Sequence, residues 1–154
     1  MAKFPTEVER SVTVRVDAAR AYEYLWDVVR SSACIAGLES CKRIGNSTYR
    51  FRYQERSAGP VSLTVRYTAR YEGNGKDRIT FATVPGAGDN TEVAGTIRVQ
   101  PSGAGSTRIV LRQMIAPETP IPRLLQGFLK SFVEKEAAEG LRQYLAHVKQ
   151  TLEG

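Results

Sequence analysis

Apolar positions in this chain recur with period two, then at helical spacing, then with period two over a long stretch, and helically again to the end. In the segment 8–16, Val12, Val14 and Val16 share one face, which predicts a half-buried strand. Asp17 comes next, its carboxylate placed to accept the free N–H groups of a helix start. Arg20 stands where a capping box would carry Glu. The spacing of Ala18, Tyr22, Leu25 and Val29 predicts a helix from Ala18 to Arg30, and residues 31–37 read as a second short helix and a break.

From Leu38 the period is two. A strand over Leu38–Ile44 turns at Gly45 and Asn46, and Tyr49, Phe51 and Tyr53 then alternate with Arg50, Arg52 and Gln54. After Gly59 and Pro60 one long strand is expected. Val61, Leu63, Val65, Tyr67, Ala69 and Tyr71 face one way in it; Ser62, Thr64, Arg66, Thr68, Arg70 and Glu72 face the other. That alternation predicts antiparallel sheet with one wet face. A turn at Gly73–Gly75 leads to Ile79, Phe81 and Thr83 on the inward set. A loop over 85–90 precedes two more strands, Val93–Val99 and Thr107–Ile115, before Pro117, Pro120 and Pro122 end the sheet region.

A meander with one apolar face needs a cover, and the C-terminal helix is the element available. The expected fold is therefore α+β: a curved antiparallel sheet of about seven strands, two short helices after the first strand, and a long C-terminal helix packed across the sheet. The whole of 1–154 reads as one domain. Space between a curved sheet and one helix is where a ligand would sit.

The last helix breaks phase. Leu124, Leu125, Phe128, Leu129, Phe132 and Val133 centre on nearly the opposite side from Ala137, Leu141, Tyr144, Leu145, Val148 and Leu152. Either the helix kinks or breaks near Glu134–Glu139, or the Leu124–Val133 stripe faces something other than the sheet: a pocket lid, a protein partner, a second copy or a membrane.

Composition narrows the classes. Hydrophobic residues at 42% and charged residues at 25% describe a globular chain, and no apolar run is long enough to span a bilayer. The N-terminus shows no apolar signal segment, so the cytoplasm is the expected compartment. The net charge of +6 is dispersed, which argues against nucleic acid as the partner. Arg50, Arg52, Arg66, Arg70, Arg108 and Arg112 are expected on the outer face of the sheet, as an ordinary solvated surface or as a basic stripe. Cys34 and Cys41 match neither a redox pair nor a zinc motif and read as free, buried or half-buried thiols.

Candidate chemistry is sparse. The single histidine, His147, falls on the polar side of the last helix and reads as a surface residue. No metal site and no cofactor are expected, and the glycine pairs at 73–75, 86–88 and 103–105 open no helix and read as turns. Glu23 and Asp27, four apart on the first helix, are expected at the surface.

Val14–Asp17, the run Ala21–Asp27 with Tyr22, Leu25 and Asp27, then Ile35–Gly37, Leu38–Ser40 and Gly59-Pro60 together resemble the START-like (SRPBCC) superfamily, which includes the major birch-pollen allergen. Within it the chain is most similar to carbon monoxide dehydrogenase subunit-like members, with Ala36-Gly37 where those carry Pro-Gly, and to polyketide cyclase-like members. The likeness runs over almost the whole chain. It implies a hydrophobic cavity between sheet and long helix, and no metal or redox cofactor.

The expected ligand-binding wall comprises Tyr22 and Leu25 from the first helix, and Tyr49, Phe51, Tyr53, Leu63, Val65 and Tyr67 from the sheet. It continues through Phe81, Thr83, Ile97, Leu111 and Gln113 to Leu125, Phe128, Leu129 and Phe132 of the last helix. Buried tyrosine hydroxyls, Thr83 and Gln113 need partners that an apolar ligand with a few polar atoms supplies. Three functions fit: a carrier of a lipid, polyketide or other apolar metabolite; a cyclase or dehydratase using the same cavity; or an interaction protein docking through its basic sheet face or the Leu124–Val133 stripe.

Overall fold

The computed structural model describes residues 2–154. The strands are β1 (Ala2–Lys3), β2 (Thr6–Val14), β3 (Leu38–Gly45), β4 (Thr48–Tyr53), β5 (Arg56–Ala58), β6 (Val61–Leu63), β7 (Arg66–Gly73), β8 (Arg78–Thr83), β9 (Thr91–Pro101) and β10 (Thr107–Thr119). The α-helices are α1 (Ala18–Trp26), α2 (Val28–Ser31) and α3 (Gln126–Glu153). One antiparallel sheet runs β1-β10-β9-β8-β7-β4-β3, with β2 also on β10, so seven strands of substantial length carry it. The long helix α3 packs across its inner face, giving the expected helix-grip arrangement.

The core follows the inward set. Val14, Phe51, Ala69, Ile79, Val99 and Ile109 are fully buried from the sheet, and Leu141, Leu145, Val148 and Leu152 meet them from α3. Asp17 caps α1 as its position demands, its Oδ1 accepting the Arg20 N–H at 2.8 Å. The helix expected to reach Arg30 stops at Trp26. Asp27 breaks it and starts α2, accepting the Arg30 N–H at 3.4 Å; the shift buries Val28 and leaves Val29 exposed.

The long strand from Val61 to Glu72 is two strands. The side chain of Asn90 takes the ladder's place at the break, its Oδ1 accepting the Arg66 N–H at 3.0 Å and its Nδ2 donating to the Thr64 carbonyl at 2.6 Å. Freed from the main sheet, β6 folds back on β5 as a separate hairpin. Val61 and Leu63 then join Phe4, Leu129 and Val133 in a second, smaller core.

The outer sheet face is not uniformly wet. Thr68 is buried there and donates to Asp89 Oδ2 at 2.8 Å, while Arg52 pairs with Asp89 at 3.0 Å. Arg66 donates to the Gly88 carbonyl, Arg108 to Ser11 and Arg112 to Glu7, so much of the arginine stripe is engaged within the protein.

The phase break in the last helix resolves without a break in the helix, which is continuous from Gln126 to Glu153. Leu129 and Val133 are buried on the edge of the stripe that Leu141, Leu145 and Val148 continue. Leu124 is 97% exposed and Phe128 47%, so part of the first apolar set has no cover.

Candidate functional site

A cavity of about 340 Å³ lies between the inner sheet face and α3, within the range of small-molecule sites. The sheet supplies Phe51, Tyr53, Leu63, Val65, Tyr67, Tyr71, Phe81, Ile97, Leu111, Gln113 and Ile115; α1 supplies Leu25, and α3 supplies Phe132 and Tyr144. The aromatic wall is ordered. Phe51 stacks on Tyr67 with ring centres 4.8 Å apart, and Tyr71 stacks on Phe81 at 5.2 Å.

Gly95 makes that order attainable. It sits on β9 opposite Phe81 and Gln113, and a Cβ there would lie 2.4 Å from the Phe81 ring and 2.5 Å from the Arg112 carbonyl oxygen. The missing side chain lets the Phe81 ring lie over the strand. On the helix, Ala137 and Gly140 put small residues over the cavity, and a Cβ on Gly140 would meet nothing within 4 Å. Volume is left where the helix carries no bulk.

The polar groups within this apolar shell are mostly neutral. The Tyr53 and Tyr67 hydroxyls are 3.2 Å apart, and since one donates to the other, one O–H is left for a ligand. Burial pushes Tyr53 up to about 12, partly offset by its bond to Tyr67. Burial also holds Tyr67 and Tyr71 well above the usual tyrosine range and raises Tyr144, beside Ser31. At neutral pH all four are hydrogen-bond donors. Gln113, half-buried, adds an amide with both donors and an acceptor.

The rim is charged and wet. Gln54 and Arg56 line it from the strand side, Glu136, Glu139 and Gln143 from α3, and Ser31, Ser32, Ile35 and Ala36 from the segment after α1. Arg142 donates to Glu139 at 2.9 Å and keeps its carboxyl below the ordinary carboxylate range.

Several residues expected in the wall stand elsewhere. The Tyr22 hydroxyl accepts the Gly75 N–H at 2.9 Å and anchors the β7–β8 turn. Tyr49 is half-buried beside the cavity, packed edge-on against Tyr71. Thr83 lies at the end of β8, opposite Ala69 and off the wall. Leu125 and Leu129 belong to the smaller core, and Phe128 lies at the surface against the Gly59 turn. Tyr144 and the rim residues were missed as ligand candidates. Tyr144 carried a signal, an aromatic on the sheet-facing stripe of α3, whereas Glu136 and Glu139 read as solvated charges.

His147 is exposed, and its Nδ1 lies 3.1 Å from the Cys34 carbonyl oxygen in a shallow cleft with Tyr24 and Thr151. Cys34 and Cys41 are free thiols; Cys34 is buried, 3.2 Å from the Tyr24 hydroxyl. Among the described residues no cluster of His, Cys, Asp and Glu has the makings of a metal site, and no helix is long and apolar enough to cross a membrane.

The family described as polyketide cyclase/dehydrase and lipid transport matches residues 5–153. A search of curated proteins finds none that matches the sequence. Solved structures with the same fold include a Thermus thermophilus protein (TM-score 0.70, 23% identity, 94% of this chain and 95% of that one). A START superfamily protein from Mycobacterium smegmatis superposes with TM-score 0.70 at 14% identity, over 95% of this chain and 98% of that one. The Zhui aromatase/cyclase from Streptomyces sp. R1128 does so with TM-score 0.65 at 18% identity, over 96% of each chain. At these identities the likeness is one of fold.

Proposed function

Since this chain belongs to the polyketide cyclase/dehydrase and lipid transport family, we propose that it binds an apolar small molecule bearing a few oxygens in the cavity between sheet and α3. One observation carries this reading. A hollow of about 340 Å³ is walled by stacked aromatic rings and edged by neutral hydroxyls and one amide. Burying the ligand's apolar surface supplies the affinity, at ~25 cal/mol per Å². Tyr53, Tyr67 and Gln113 orient it by donating to its oxygens, where an unpaired hydroxyl or amide would otherwise cost free energy.

A cyclase-type activity is the second reading, favoured by the same four tyrosines. A protonated hydroxyl beside a ligand ketone stabilises negative charge developing on that oxygen. The titratable groups in the wall are tyrosines held protonated, and the carboxylates Glu136 and Glu139 sit at the exposed rim. Proton abstraction deep in the cavity has no resident base among these groups, so the carrier reading stands first.

Native mass spectrometry of the protein purified from cells tests the proposal. An adduct of a small organic molecule, released on denaturation, is the expected result. Adduct-free protein that also binds no neutral apolar fluorophore overturns it. Chemical conversion of the released molecule on re-addition would favour the cyclase reading.

A further inference from the structure

We propose that the segment 119–133 and the β5–β6 hairpin form a docking tip for an anionic bilayer surface, through which the apolar ligand enters and leaves the cavity. The second half of that statement rests on the carrier reading above; the first does not.

Leu124 stands 97% exposed, ahead of Phe128 at 47%, with Ile121 and Leu125 half-buried behind them. Large apolar side chains this exposed and this close together mark a contact surface. The two segments form one body. A Cβ on Gly59, in the hairpin turn, would lie 3.5 Å from the Phe128 ring, and Val61 and Leu63 share a core with Leu129 and Val133.

Charge selects the occupant. Residues 119–133 contain Arg123 and Lys130 and no carboxylate, and residues 56–65 contain Arg56 and none, in a chain with 16 carboxylates. A second copy of the chain would bring these cations against their own kind with no acid to pair them. A stable protein interface needs about 800 Å² from each side, whereas this tip offers one protruding leucine, one half-exposed phenylalanine and a cationic flank. Shallow insertion of Leu124 and Phe128 among lipid chains, with Arg123 and Lys130 at the headgroups, uses all of these features.

Position gives the contact a purpose. Arg56, Leu63, Val65, Phe132 and Val133 come from these same two segments and line the cavity. The tip is continuous with the cavity wall, and Phe128 lies one helical turn from Phe132. A bilayer contact here places apolar solvent at the edge of the site.

The test is co-sedimentation with vesicles of phosphatidylcholine alone and of phosphatidylcholine and phosphatidylglycerol in equal parts. The protein is expected to sediment with the second and far less with the first. Arg123→Glu and Lys130→Glu should each weaken that binding by about fivefold or more, and Leu124→Glu by about tenfold or more. All three should still take up N-phenyl-1-naphthylamine, a neutral apolar fluorophore, in solution, because none of these side chains lines the cavity. Absence of vesicle binding by the wild type, or Leu124→Glu binding as tightly as wild type, overturns the tip. So does a wild-type dimer in analytical ultracentrifugation that Leu124→Glu dissociates, or retention of an acidic protein in place of vesicles. Failure of wild-type fluorophore uptake with vesicle binding intact strikes the carrier reading and the passage of ligand, and leaves the membrane contact standing.

Discussion

The hydroxyl of Tyr53 lies 3.2 Å from the hydroxyl of Tyr67 across the β4–β7 ladder, at the wall of the cavity. Each residue covers the other's polar atom in an otherwise apolar setting, and together they expose one donor to whatever occupies the space. Tyr53→Phe removes one partner and leaves the Tyr67 hydroxyl unpaired. Stability should fall by about 1 kcal/mol, read as a lower urea midpoint. Tyr67→Phe should cost a similar amount, and the double variant less than the sum. Additive losses would mean the two hydroxyls are not coupled.

Alkaline pH should destabilise the fold. Unfolded tyrosines ionise near about pH 10, whereas burial holds Tyr53 up at about 12 and Tyr67 and Tyr71 well above the ordinary range. Above that point the unfolded chain sheds protons that the folded one keeps. Stability is therefore undiminished below about pH 10 and is lost as pH rises toward the folded values. Denaturation midpoints should be level up to that pH and then decline, with tyrosinate absorbance appearing late in the folded state. Midpoints flat through about pH 11 would contradict the assignment.

Gly95→Ala should be damaging out of proportion to one methyl group. Its Cβ would press on the Phe81 ring and on the Arg112 carbonyl, and the second is backbone that cannot swing away. A loss of about 1–3 kcal/mol is expected, with the ring displaced toward the cavity and ligand capacity reduced. A melting temperature equal to wild type would show that Phe81 is free to move.

The opposite sign is expected for Gly140→Ala. This glycine is within α3, and a Cβ there meets nothing within 4 Å. The gain in helix propensity should add about 0.5–1 kcal/mol. Thermal unfolding checks it, and a loss in place of a gain would imply that the helix backbone needs glycine's freedom at this point.

The architecture was legible because local patterns and tertiary contacts agree over most of the chain. Phe51, Tyr67, Phe81, Ile97 and Leu111 alternate cleanly and all reach the cavity wall. Where the reading slipped, a distant residue had intervened. Asn90 ends β7 at Arg66 from more than twenty residues away, and alternation through Thr64 and Val65 carries no trace of it. Asp27 looked like a helix-surface carboxylate, yet it works as a second cap, because a helix interior and an N-cap differ only in backbone angles. The rim escaped notice for another reason: Glu136, Glu139 and Gln143 are what any solvated helix carries, and only the depth of the sheet beneath turns them into an entrance.

The central claim is that the inward face of the sheet encloses usable space. Titrating N-phenyl-1-naphthylamine into the wild type and into Leu111→Trp tests it most directly, since Leu111 is a buried wall residue whose enlargement fills the hollow. The account predicts one saturable site in the wild type and its loss in a variant that remains folded by circular dichroism. Equal binding by the folded variant, or none by the wild type, would contradict it.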